Sequence, residues 1–183
     1  YIVQLNDCQY VRFNDLTFNA TGLGRVIELL GGSGVIGISG CNLLGSYQTG
    51  ATTNAAIIFS DGQQPETINI TGNQFSDCGY GIYIAGSLNG IPGVNIVGNT
   101  FSNSGYTSIY LSRVLNPKVT MNEITSGYIG IYIVSGGEGL EVLKNRVATS
   151  IDGIKINFGG NEVKGLVANN FIHVGGTGDA YGL

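Results

Sequence analysis

Asparagine returns at a near-constant interval through most of this chain, and that recurrence limits the fold more than any other feature. Asn73, Asn99, Asn122, Asn145 and Asn169 are separated by 26, 23, 23 and 24 residues. Leu16 and Cys41 occupy the same slot in two earlier segments. Three residues before the slot stand Phe13, Ile38, Ile70, Ile96, Val119, Val142 and Leu166. Two residues after it stand Phe18, Leu43, Phe75, Phe101, Ile124, Val147 and Phe171. All of them are apolar, so every repeat is expected to feed the same two core columns.

About ten residues after the slot a second element recurs: GIYIA from Gly81, SIYLS from Ser108, GIYIV from Gly130 and GIKIN from Gly153. Earlier versions are Val26 to Leu29 and Ala56 to Phe59, and Gly182 and Leu183 read as the start of a further one. Alternation with period two marks a strand with one buried face. Repeats of 22 to 30 residues with short strands and no helical pattern form coils of a parallel β-helix. Stacking pairs each strand with its equivalents above and below. A leucine-rich repeat would need a Leu framework that is absent. The expectation is an all-β solenoid of about seven coils forming one domain over 1–183. It starts at Tyr1 and stops at Leu183 in mid-pattern, which reads as an uncapped piece of a longer protein whose neighbouring segments cover its ends.

Composition narrows the function classes. Charged residues are 11% of the chain and the net charge is -4, so a phosphate-neutralising basic patch is missing and nucleic acid is not an expected partner. No apolar run reaches the length of a membrane span, so membrane insertion is not expected, and no signal peptide is visible.

The apolar columns, the N-x-F element and the G-I-x-I strand resemble the right-handed parallel β-helix family of the pectate-lyase-like kind, over almost the whole chain. The closing segment NNFIHVGGTGDAYGL resembles coils of large secreted surface proteins of bacteria. The resemblance implies a right-handed solenoid, an extracellular or cell-surface location, and a polysaccharide groove on the outer face of the G-I-x-I strand.

Two columns carry the candidate residues. The Asn slot lies at a bend, where Asn tolerates left-handed backbone and its amide bonds neighbouring amides. Asn73, Asn99, Asn122, Asn145 and Asn169 are therefore expected to form an internal structural ladder. The outward positions of the G-I-x-I strand read Gln4, Glu28, Ile58, Tyr83, Tyr110, Tyr132 and Lys155. Tyr83, Tyr110 and Tyr132 form an aromatic strip that sugar C–H faces can stack on, with Ser112, Arg113, Lys155 and Asn157 as polar neighbours. The same strip also reads as a cross-strand ladder that only stabilises the sheet.

Catalytic chemistry is harder to place. Lyases of the resembling family use a Lys or Arg base and carboxylates that hold Ca²⁺ or neutralise a uronate. Lys155 and Arg113 are the candidate bases, with Asp152 beside the strand. Calcium needs several converging oxygens, and no second acid falls beside Asp152, so no metal site and no cofactor is expected. The glycosidase requirement of two facing carboxylates finds Glu28, Asp61, Asp77, Glu138, Glu141, Asp152 and Asp179 scattered over different columns. His173 is the single histidine, and Cys8, Cys41 and Cys78 are odd in number, which suits free thiols. The reading is a secreted or cell-surface module that contacts polysaccharide or a cell-surface glycan through the Tyr strip. The alternatives are a fragment of a polysaccharide lyase, hydrolase or epimerase, and a passive stalk of an adhesin or filament.

Overall fold

The computed structural model describes residues 1–20, 22–32, 34–51, 53, 56–63, 65–135, 139–158, 164–176 and 182, with only the backbone of residue 63. Among the described residues the nineteen named elements are strands, and no helix is long and apolar enough to cross a membrane. Strands β2 (Val11–Asn14), β5 (Val35–Ser39), β8 (Thr67–Thr71), β10 (Val94–Val97), β12 (Lys118–Thr120), β15 (Leu140–Leu143) and β18 (Gly165–Ala168) form a seven-stranded parallel sheet. The other sheet has twelve strands and folds around a corner. One leg holds β3 (Thr17–Asn19), β6 (Asn42–Leu44), the first part of β9 (Gln74–Gly86) and of β11 (Thr100–Ser112), β13 (Glu123–Ser126), β16 (Arg146–Thr149) and β19 (Phe171–Val174). The second leg holds β1 (Val3–Asn6), β4 (Ile27–Leu30), β7 (Ala56–Gln63), the later halves of β9 and β11, β14 (Ile129–Val134) and β17 (Asp152–Asn157). Seven stacked strands enclose six full turns, so the molecule is a parallel β-solenoid of about six turns rather than seven.

Both core columns form as the spacing requires. Phe75 and Phe101 stack at 4.5 Å with 10° between ring planes, and Ile38, Ile70, Ile96, Val119, Val142 and Val147 are buried. Each fully buried Ile or Val contributes roughly 1.5–3 kcal/mol. Ser60 interrupts this: it sits in the inward column between Leu29 and Ile84, and its hydroxyl is buried without a hydrogen-bond partner. The corner before the second leg holds buried Val26, Ile57 and Ser108 in some coils but leaves no room for a side chain in others. A Cβ on Gly130 would lie 2.4 Å from Val147 and 2.6 Å from the Gly153 carbonyl, which accounts for the repeated Gly81, Gly130 and Gly153.

The internal ladder runs Asn73, Asn99, Asn122, Asn145 and then Asn170, not Asn169. Each slot receives the preceding slot's backbone N–H and, where that slot is Asn, its Nδ2, on a single Oδ1. Each Asn also donates Nδ2 to a carbonyl of the preceding coil, as Asn99 does to Ile70 at 2.9 Å. Asn169 falls in the column just before the slot, shared with Asp15, Gly40, Gly72, Gly98, Met121 and Lys144, where φ is 55–64° throughout. The slip by one residue also moves Leu166 and Phe171 to the exposed face, and Val167 and Ile172 take their places in the core.

Candidate functional site

The outward column of the second leg reads Gln4, Glu28, Phe59, Tyr83, Tyr110, Tyr132 and Lys155 by strand register. Phe59 replaces the expected Ile58, whose side chain is fully buried opposite Ile82. In Ala56-Ile57-Ile58-Phe59 every residue is apolar, so alternation carries no phase and hydrogen-bond register decides it.

Ring geometry gives the column its character. Phe59 and Tyr83 stack at 5.3 Å and 11°, and Tyr83 and Tyr110 at 4.7 Å and 11°. Tyr83 therefore has a parallel neighbour on both sides. No pyranose enters a gap of this size, because stacked β-coils stand only about 4.8 Å apart. Tyr132 departs from this arrangement, with its plane 80° from that of Tyr110 at 5.5 Å. The column ends in cations: the Arg25 guanidinium lies 3.3 Å from the Phe59 centroid, and Lys155 Nζ lies 5.4 Å from that of Tyr132. Each cation is held by a carboxylate three residues away. Arg25 pairs with Glu28, which also accepts from Gln4 at 2.7 Å, and Lys155 pairs with Asp152 at 3.2 Å.

A second set of aromatics flanks the first. Tyr80, 5% exposed, packs edge-on against Tyr83, Tyr106 and Tyr110. Tyr106 stacks on Tyr128 at 5.2 Å and 17°, and Tyr128 is 41% exposed. Sequence reasoning missed Tyr80, Tyr106 and Tyr128, although each follows a glycine just ahead of the recurrent strand, in Gly79-Tyr80, Gly105-Tyr106 and Gly127-Tyr128. Burial raises the phenol pKa values of Tyr80, Tyr83 and Tyr110 above the ordinary value.

The candidate catalytic groups are only partly brought together. Lys155 and Asp152 meet, but the hydrogen bond from Lys155 to Asp152 raises the Lys155 pKa and keeps it protonated, which opposes service as a base. Arg113 stands at the corner after Ser112, exposed, with Nη1 3.3 Å from the Gly86 carbonyl. It lies two coils from Lys155, roughly 10 Å along the axis. Asn157 follows in register with Ser112 through Val134. Elsewhere, Glu141 pairs with Lys118 at 3.6 Å and Glu123 with Arg146 at 3.8 Å. Glu138 and Asp179 lie outside the described residues. Among the described residues no group of three or more His, Cys, Asp and Glu is placed to hold a metal ion. Cys8, Cys41 and Cys78 are free, and burial pushes the Cys78 thiol up to about 12.

A cross-strand register of parallel strands over six turns, an internal amide ladder and an outer aromatic ladder define a parallel β-solenoid. The family model for the right-handed β-helix region matches residues 55–181, more than half of the chain, and the chain belongs to that family. Comparison with curated proteins and with solved structures gives no match.

Proposed function

We propose that this chain is a non-catalytic β-helix module, displayed outside the cell, that contacts polysaccharide at one end of its aromatic column. The carrying observation is the 80° turn of Tyr132 out of the stack. Phe59, Tyr83 and Tyr110 use their ring faces on one another, whereas among the described residues Tyr132 shares no parallel face with a neighbouring ring. Tyr128, exposed and stacked on one side by Tyr106, belongs to the same coil. Lys155 and Asn157 of the next coil supply hydrogen-bonding groups beside them. A stacking ring flanked by polar groups is what a sugar's C–H face and hydroxyls require. The contact thus centres on Tyr128, Tyr132, Lys155 and Asn157, with Tyr83 and Tyr110 supporting it from the stack.

A second reading, a rod whose aromatic column is purely structural, draws support from the same Phe59–Tyr83–Tyr110 stack. The enzymatic reading is disfavoured by the protonated, paired Lys155. Titrating a panel of oligosaccharides against the parent and Tyr132→Ala separates these. The module reading expects binding by the parent, weakened at least about ten-fold (about 1.4 kcal/mol) in the variant. Equal binding by both proteins removes Tyr132 from the contact, binding by neither leaves the rod, and a new reducing end or an unsaturated uronate marks an enzyme.

A further inference from the structure

We infer that the glycan taken by this face is uncharged. The inference rests on the polysaccharide reading above and concerns only the class of sugar. A polyuronate brings a carboxylate on every sugar, and each must find a cation that offsets its lost hydration. The described residues of this face carry three cations beside the aromatic column, Arg25, Arg113 and Lys155, and three carboxylates, Glu28, Asp61 and Asp152.

Two of those cations are already committed. Glu28 is buried and takes Arg25 on one oxygen and Gln4 on the other. Moving Arg25 toward a ligand strands a buried carboxylate and uncovers the Phe59 ring. Lys155 stands in the same relation to Asp152, which is also buried, and to the Tyr132 ring. Breaking either pair by withdrawing one partner is strongly unfavourable. Arg113 is the remaining cation; it is exposed at the corner two coils from Lys155, with Nη1 on the Gly86 carbonyl, and a single cation cannot meet a carboxylate on every sugar. Two of the three cations of the face are therefore held in closed pairs. What the face presents outward are the ring of Tyr132, the exposed Tyr128 and the exposed Asn157, which suit a neutral pyranoside.

The test uses the intact protein and two probes of matched length: a neutral β-1,4-linked hexasaccharide set (gluco, xylo and manno) and hexagalacturonate. Tyr fluorescence reports binding at low and at physiological ionic strength. The neutral set is expected to bind, with affinity changing by less than about two-fold between the two salt conditions, because no ionic contact is screened. Hexagalacturonate binding ten-fold tighter, and weakening with salt, overturns the class while leaving the glycan contact standing. Binding of neither probe overturns the contact itself. Asp152→Asn releases Lys155 from its partner and is expected to strengthen hexagalacturonate binding about five-fold at low salt. Should that variant fold poorly, Lys155→Gln serves: whatever neutral binding it loses is expected to be lost equally at low and at physiological ionic strength, and a loss confined to low salt overturns the inference.

Discussion

Asn145 delivers its backbone N–H and its side-chain Nδ2 to one acceptor, Oδ1 of Asn170, both at 2.9 Å. The same two-donor geometry links Asn73 to Asn99, Asn99 to Asn122 and Asn122 to Asn145. Removing one rung strips acceptors from buried donors in the neighbouring coil, each costing about 1–3 kcal/mol. Asn99→Ala is therefore expected to lose about 4 kcal/mol of stability in urea unfolding, with glycan binding unchanged in the surviving folded protein. At the last rung Asn170→Ala is expected to destabilise by about 2 kcal/mol and Asn169→Gly to be close to neutral. The reverse order would restore Asn169 to the ladder.

The column preceding the slot imposes a left-handed backbone on Met121 and Lys144, with φ 56° at both. L-residues other than Gly and Asn pay about 1–2 kcal/mol there, partly offset by the greater chain entropy that Gly loses on folding. Met121 is exposed, so little packing is at stake. Met121→Gly should stabilise by about 0.5 kcal/mol, and Gly98→Val, at φ 64°, should destabilise by more than about 1 kcal/mol. Thermal melts of both variants check the pair.

Ser60 places a hydroxyl with no partner in an otherwise apolar column. Ser60→Ala removes the unsatisfied group at almost no loss of volume, and a gain of about 1 kcal/mol is expected. A loss of that size in chemical denaturation would mean that the hydroxyl is bonded.

Stability should fall at alkaline pH. Burial, followed by the neighbouring phenols for Tyr80 and by Asp61 for Tyr83, raises the phenol pKa values in the stack. Between the unfolded value of about 10 and the higher folded values, the folded state holds more protons than the unfolded one. Unfolding free energy therefore declines with pH from about 10 upward, and is unaffected by these groups below it. Melting temperature followed against pH, with phenolate absorbance as the titration signal, should show the drop, and Tyr83→Phe should make it shallower.

The repeat was legible because its period, near 24 residues, and its apolar columns are properties of residue order alone. Parallel strands in register, the Asn ladder as a device and the outward Tyr83–Tyr110–Tyr132 column followed from that order. Two phases did not. Ile57-Ile58-Phe59 and Asn169-Asn170 each offer neighbouring residues of one chemical kind, and a strand shifted by one residue exchanges its buried and exposed faces. Only backbone pairing across coils decided that Phe59 points out and that Asn170 joins the ladder. Ring orientation was likewise a tertiary outcome, since it depends on the separation of coils and on which cation caps each end. Residue order determined that aromatic side chains would line one face. The packed structure decided that three of them face one another and that Tyr132 turns away, because a ring with neighbours on both faces is held parallel, while Tyr132 meets Tyr110 edge to face and Lys155 in the next coil.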